Sequence, residues 1–389
     1  MRTESEPTQT ATSSSPETAS TAARPAPPVD AATTPATAPN AAVTRRPRVM
    51  LAMNESSRAR VLVPAVRERL ERVAEVLPVG PGSVPGSGSP RHEPGNPFLD
   101  DPAIRASLAD VDVLLTGWGC PAITPEVLAV APRLKAIIHA AGSVKGFVDP
   151  AVFERGVQVS SAVVANALPV AEFTVATIVL SGKRAFRLGA EYRINKQRPD
   201  PSAVPGSYGS TVGLLGASRI GRMVAERLRA FDLEVLISDP YLSAAEAAEL
   251  GAELVELDDL FTRSDILSVH APLLPETVGL VDARLLGLLK DGSVLINTAR
   301  GRIVDAAALE RECVAGRLDA VLDVTDPEPL PPDSPLLDLP NVFLTPHLAG
   351  AVGNEVARLG ELAVSELERF ASGAPLHHVI SSTELGRIA

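Results

Sequence analysis

Three short segments carry the residue types that proton transfer on a small acid requires. They are Asn297-Thr-Ala-Arg-Gly-Arg-Ile-Val-Asp305, Leu322-Asp-Val-Thr-Asp-Pro-Glu-Pro329 and Leu344-Thr-Pro-His-Leu-Ala-Gly350. The planar guanidinium of Arg300 can hold a carboxylate with two parallel hydrogen bonds, which fixes a neighbouring carbonyl for attack. His347 is the side chain best matched to proton transfer near neutral pH, a contribution worth roughly 10²–10⁴-fold. A carboxylate on its other ring nitrogen would fix the tautomer and raise its proton affinity, and Glu328 is the candidate. Arg300 alone could equally make a surface salt bridge. However, both Arg300 and His347 follow apolar runs that read as strand ends, where open α/β sheets bind ligands.

A fourth segment, Thr211-Val-Gly-Leu-Leu-Gly-Ala-Ser-Arg-Ile-Gly221, leads from an apolar strand through a tight turn into a helix. With an acid about 20 residues further on, this is a dinucleotide-binding pattern. Asp239 is that acid, 18 positions after Gly221. Gly216 permits the turn, Gly221 lets the helix approach the strand, and the free amides of Arg219 and Ile220 can bind pyrophosphate. Asp239 can accept from both ribose hydroxyls and would repel a 2′-phosphate, so NAD is expected over NADP. Ser218 departs from the pattern: it stands where the middle glycine usually sits, its Cβ crowding the phosphate while its hydroxyl offers a donor.

The elements that position these residues alternate in type. Strands are expected at Arg48 to Met53, Val111 to Thr116, Leu134 to His139, Thr211 to Leu215, Leu233 to Ser238, Ile266 to His270, Val294 to Asn297, Ala320 to Asp323 and Val342 to Leu344. Helical spacing marks Val61 to Leu77, which runs into another strand, a long segment Ala165 to Arg193, and a last helix near Asn354 to Ala371. Ser243 with Glu246 forms a capping-box pattern. Residues 80–99, rich in Gly, Pro and Ser, read as a long loop. Alternation of this kind implies parallel βαβ units and a doubly wound sheet.

Taken together, these segments resemble the D-isomer-specific 2-hydroxyacid dehydrogenases, and the similarity extends to Leu134 through Ala141-Gly-Ser-Val144 and to Ala165-Asn-Ala-Leu-Pro-Val-Ala-Glu172. The resemblance covers nearly the whole chain beyond its first residues. It implies an α/β fold in which a Rossmann-type cofactor domain, residues 161–345, is inserted into a smaller flavodoxin-like α/β substrate domain, residues 47–160 plus 346–380. It also implies reversible hydride transfer between NAD and C2 of a small 2-hydroxy or 2-oxo acid, D-stereospecific, with Arg300, Glu328 and His347 catalytic. The loop at Ala141, Gly142, Ser143 and Val144 would hold the substrate carboxylate. His270, Pro272, Thr298, Ala299, Asp323 and His347 would join the nucleotide loop around the cofactor, although His270 fits a structural role equally well. Trp118 is either a substrate-pocket wall or simple packing, and His139 could touch substrate. His377 and His378 receive no role. Family members usually form homodimers through the cofactor domain, for which the apolar segment Val170 to Leu180 is suited; it would serve equally as a buried crossover helix.

Alternatives of other kinds are an NAD-sensing, corepressor-like scaffold and the oxidation of another small anion such as phosphite. Formate dehydrogenases of the superfamily are disfavoured, because they usually carry Gln where Glu328 stands. A regulatory domain of the kind found in long phosphoglycerate dehydrogenases is not expected, since 42 residues follow His347.

Composition narrows the remaining choices. In 389 residues with net charge −11, 34 of the first 48 are Ser, Thr, Ala or Pro, so residues 1–46 are expected to be a disordered tail. An acidic body repels phosphate backbones, which argues against nucleic-acid partners. The lack of about 18 consecutive apolar residues argues against a membrane span and for a soluble, cytoplasmic protein. Two cysteines, Cys120 and Cys313, are expected as buried small hydrophobes, with no metal cluster.

Overall fold

The computed structural model describes residues 45–78, 95–200, 202 and 204–385. The expected tail lies outside the described residues as far as position 44, and so do residues 80–94 of the expected loop. Arg45 and Arg46 are not part of a tail. Arg45 donates to both carboxylate oxygens of the buried Asp112, at 3.0 and 2.8 Å, and Arg46 donates to the carbonyls of Glu71 and Ala74. Residues 97–99 are not loop either: they belong to a short helix, Pro97–Asp100, capped by Asn96. Proline suits the first helical turn because the amide it lacks would have no partner there.

Strands β1 (Arg48–Ala52), β2 (Glu75–Val76), β3 (Val113–Thr116), β4 (Ala136–His139) and β5 (Gln158–Ser161) form a parallel sheet in the order β2-β1-β3-β4-β5. Alternate residues of β1 feed two separate apolar cores: Val49 and Leu51 on one face, Met50 and Ala52 on the other. Burial on both faces explains why these strands read as continuous apolar runs.

The chain then builds a second parallel sheet from β6 (Thr211–Leu215), β7 (Glu234–Ser238), β8 (Glu253–Leu254), β9 (Ile266–Val269), β10 (Val294–Asn297), β11 (Asp319–Leu322) and β12 (Val342–Leu344). Their order is β8-β7-β6-β9-β10-β11-β12, again with a core on each face. Strand order reverses between β6 and β9, and in the first sheet between β1 and β3. Such switch points open a crevice at the carboxyl ends of the strands. Finally the chain returns to the first sheet, where β13 (Val379–Ile380) pairs antiparallel with β5.

Helix boundaries differ from expectation in two places. The helix expected from Val61 to Leu77 is shorter, Pro64–Val73, because Pro64 starts it and β2 follows, and a separate helix, Glu55–Val61, ends where the expected run begins. The long segment also divides, into Val163–Gly182 and Ala185–Asn195, because Arg184 takes a left-handed conformation and donates to the carbonyl of Gly292 at 2.7 Å. By length and composition Val163–Gly182 could cross a membrane. Here its Ala171 and Ile178 are buried in the second sheet's core beside Val224 and Leu228. Strands β5, β8 and β13 were not expected; two of them are only two residues long. Both cysteines are buried, and burial pushes the Cys313 thiol up to about 12.

Candidate active site

The nucleotide turn follows β6 at the switch point. Gly216 has φ +103°, and a Cβ there would lie 2.7 Å from the backbone nitrogen of Ala271, while a Cβ on Gly221 would collide with the carbonyl of Gly216. Both glycines are therefore required by close approach of backbone to backbone. Ser218 has φ −60° and ψ 172°, a conformation any residue adopts, and its hydroxyl caps helix Arg219–Leu228 by accepting the Gly221 amide at 3.4 Å. Serine is thus accommodated by the backbone and serves as an N-cap. At the end of β7, Asp239 accepts from the amides of Ala217 at 2.7 Å and Tyr241 at 2.8 Å, which locks the acid onto the turn. An extended cap, free helix-start amides and a cradle that side chains would fill together fit a dinucleotide pyrophosphate.

Arg300 follows β10. Asn297 shapes this turn by accepting from Ala299 at 3.0 Å and donating to the Arg300 carbonyl at 2.9 Å. The next residue must be glycine, since a Cβ on Gly301 would overlap the Thr325 carbonyl. That contact presses the Arg300 turn against the loop that carries Glu328. Burial draws the Arg300 pKa below the usual arginine value, and the charge of Glu328 opposes the shift.

His347 follows β12. Its Nδ1 lies 2.7 Å from Glu328 Oε1, which leaves Nε2 as the ring atom available for proton exchange. At φ 52° it occupies the left-handed region, a conformation kept only where surrounding bonds enforce it. Asp323 supplies them: its carboxylate accepts from Thr345 Oγ1 at 2.6 Å, Leu348 N at 2.8 Å and Ala349 N at 3.0 Å. Expected on the cofactor, Asp323 in this structure braces the histidine loop.

The loop Ala141, Gly142, Ser143 and Val144 follows β4. Ser161, at the end of neighbouring β5, donates to the carbonyls of Ala141, at 3.1 Å, and Gly142. Asn166 accepts from Ala351 at 3.0 Å and packs against both Gly142 and Gly350, so it joins this loop to the one after His347. Sequence reasoning quoted Asn166 within a motif but gave neither it nor Ser161 a function; nothing local to either residue reveals a partner so far along the chain.

The other described histidines have internal partners. His139 bonds Thr116 Oγ1 at 2.9 Å and packs on Phe147, and burial pulls its pKa down to about 3. Its side chain is buried, with these internal partners. His270 bonds Ser268 Oγ at 2.9 Å, and burial pulls it down to about 4, which favours the structural alternative. The backbone amides of His377 and His378 bind the buried carboxylate of Glu366. Thr298 is buried against Thr174 at 2.9 Å, and the Pro272 carbonyl accepts from Thr277 at 2.6 Å. Trp118 is half exposed just past β3, with the Arg60 guanidinium 5.5 Å above its ring. Among the described residues no group of three or more His, Cys, Asp or Glu is placed to hold a metal ion.

A switch-point cradle for pyrophosphate beside an Arg, Glu and His cluster defines a dinucleotide-binding α/β protein with an acid-base site. Residues 176–349 match the family described as D-isomer specific 2-hydroxyacid dehydrogenase, NAD binding domain. A glyoxylate reductase of Korarchaeum cryptofilum is 33% identical over 269 residues, covering 68% of this chain and 81% of the relative. A D-3-phosphoglycerate dehydrogenase of Mycobacterium tuberculosis is 37% identical over 262 residues, covering 67% of this chain and 49% of the relative. The chain thus spans about half the length of the phosphoglycerate dehydrogenases it matches. Among solved structures, a D-lactate dehydrogenase of Aquifex aeolicus, complexed with NAD and lactic acid, has TM-score 0.62 at 25% identity and covers 84% of this chain and 96% of its own. The chain belongs to the D-isomer specific 2-hydroxyacid dehydrogenase family, and its cofactor is NAD.

Proposed function

We propose that this chain reversibly transfers a hydride between NAD(H) and C2 of a small 2-hydroxy or 2-oxo acid, with D-stereospecificity. The observation that carries the reading is the 2.7 Å bond between His347 Nδ1 and Glu328, on a loop pressed against the Arg300 turn. When bound, the nicotinamide supplies or accepts the hydride at its C4. In the reducing direction Arg300 and the amides of the Ala141 to Val144 loop hold the carboxylate. As C2 gains the hydride, His347 Nε2 gives its proton to the carbonyl oxygen, which becomes the hydroxyl, and Glu328 stabilises the imidazolium before that transfer. Asp239 favours NAD over NADP by repelling a 2′-phosphate. Pro272, Thr298 and Ala299 form the wall around the nicotinamide, and His270, bonded to Ser268, has the structural role.

On this reading residues 47–160 with 346–380 form the substrate domain, residues 161–345 form the cofactor domain, and the protein works as a cytoplasmic homodimer without nucleic-acid or membrane partners. The dimer is supported by a groove of about 490 Å³ on the outer face of helix Val163–Gly182, where Val175, Ala176, Val179, Leu180 and Phe231 line the apolar part and Glu172 and Arg227 complete the lining. The test is a panel of 2-oxo acids, and of both stereoisomers of the 2-hydroxy acids, followed by NADH absorbance and repeated with NADPH. Turnover of D-acids with NAD is expected. NADH binding without turnover on any acid would overturn the proposal in favour of a scaffold.

A further inference from the structure

A side chain next to the loop after β4 reaches a backbone carbonyl beyond β9. Lys145 Nζ donates to the Leu273 carbonyl at 3.1 Å, across 128 positions of sequence. Both ends of this bond are built into the site. On the loop side, the Lys145 amide donates to Ser143 Oγ at 3.3 Å, within the segment whose amides face substrate on the reading above. Gly142 and Gly146 flank that segment, so its backbone is free to shift unless something holds it.

On the cofactor side the acceptor is rigid. Thr277 Oγ1 accepts from the Leu274 amide at 2.8 Å and donates to the Pro272 carbonyl at 2.6 Å, clamping the residues on either side of Leu273. Two positions earlier, Ala271 abuts the nucleotide turn, its nitrogen 2.7 Å from where a Cβ on Gly216 would stand. Packed contacts therefore run without a gap from the pyrophosphate turn through Ala271 and Leu273 to Lys145 and Ser143. Such contiguous networks can carry energetic coupling between two ligand sites.

We propose that Lys145 is a positioning residue that holds the carboxylate loop at a fixed distance from the cofactor side, so that affinity for an anionic acid depends on an occupied nucleotide turn. The inference rests on the function proposed above for that loop. It is tested on the full chain with Lys145→Met and Lys145→Arg. Calorimetry gives the affinity for oxamate, a 2-oxo acid isostere, with and without saturating NADH, and steady-state kinetics give KM and kcat for the best acid of the panel. A charge-assisted bond to a carbonyl at an exposed site corresponds to at most about a fivefold effect. Lys145→Met should raise KM by about that factor and shrink the NADH-dependent gain in oxamate affinity equally, with kcat, NADH affinity and melting temperature near wild type. Lys145→Arg, which can still reach the carbonyl, should recover most of the loss. An unchanged KM and oxamate linkage in Lys145→Met would overturn the proposal while wild-type turnover left the function intact. A fall in melting temperature and NADH affinity of equal size would reduce Lys145 to a structural tie. Absence of turnover in the wild type would defeat the function itself.

Discussion

At the carboxyl edge of the second sheet, shape is enforced by side chains that are missing; at the same edge of the first, it is enforced by side chains that reach in from elsewhere. Gly216, Gly221 and Gly301 each stand where a Cβ would strike backbone. The loop from Ala141 to Val144 has no such collisions and depends on Ser161, Asn166 and Lys145. Steric exclusion tolerates no substitution but is blind to the ligand, whereas hydrogen-bonded support can be adjusted one bond at a time. The nucleotide and Arg300 turns are thereby fixed and the loop of the first sheet tunable, and altering each edge in turn separates the two.

The largest effect should come from His347, to which the proposed function gives the proton transfer. His347→Ala should lower kcat by roughly 10²–10⁴-fold while leaving NADH affinity nearly intact, because the cradle at Gly216 is built without it. Equal turnover in variant and wild type would remove the histidine from the chemistry. Arg300→Lys should follow, reducing kcat/KM by roughly 10- to 100-fold with a raised KM, since an ammonium cannot reproduce two parallel bonds to a carboxylate. A change confined to thermal stability would instead make Arg300 a salt-bridge residue.

The same contrast explains what could be read before the structure. Gly216, Asp239, Arg300, Glu328 and His347 sit within short segments whose spacing reports strand, turn and helix directly, so residue type and place both pointed to the cleft. Ser161 and Lys145 are ordinary residue types whose meaning arises only when β5 is laid beside β4, or when position 273 is brought to position 145. Asp323 shows an intermediate case: its motif drew it into the site, but only tertiary structure shows its carboxylate spent on Thr345, Leu348 and Ala349. Periodicity also missed the helix Glu55–Val61, merged the helices that Arg184 separates, and could not detect the two-residue strands β8 and β13, which are too short to show a pattern.

Ser161 offers a smaller and more selective test of the first edge. Its hydroxyl donates to the carbonyls of Ala141 and Gly142 and so fixes the backbone of the loop that the proposed function gives to the substrate carboxylate. Ser161→Ala removes about 1 kcal/mol of hydrogen bonding, so KM for the acid should rise about fivefold, with NADH affinity unchanged and Ser161→Thr restoring much of the loss. A rise in NADH dissociation constant of the same size would show that the two edges are not independent.

The smallest effect concerns stability, and it sets the buried histidines of the two edges against the exposed His347. Burial holds His139 down to about 3 and His270 down to about 4, so both are neutral in the folded protein at pH values where an unfolded histidine is already taking up protons. Depressed folded-state values mean that the unfolded chain binds more protons below about pH 6.5, and stability must fall as pH falls through that range. Asp319, raised by burial, acts in the opposite sense nearer the carboxylate range, so the histidine-driven slope should be clearest between about pH 6.5 and 5. Melting temperatures across that window should decline in the wild type and decline less in the variant His139→Gln/His270→Gln, whose amides can still bond Thr116 and Ser268 without a proton to refuse. Parallel slopes would mean that both rings accept protons in place, each edge of the cleft relaxing to admit the charge.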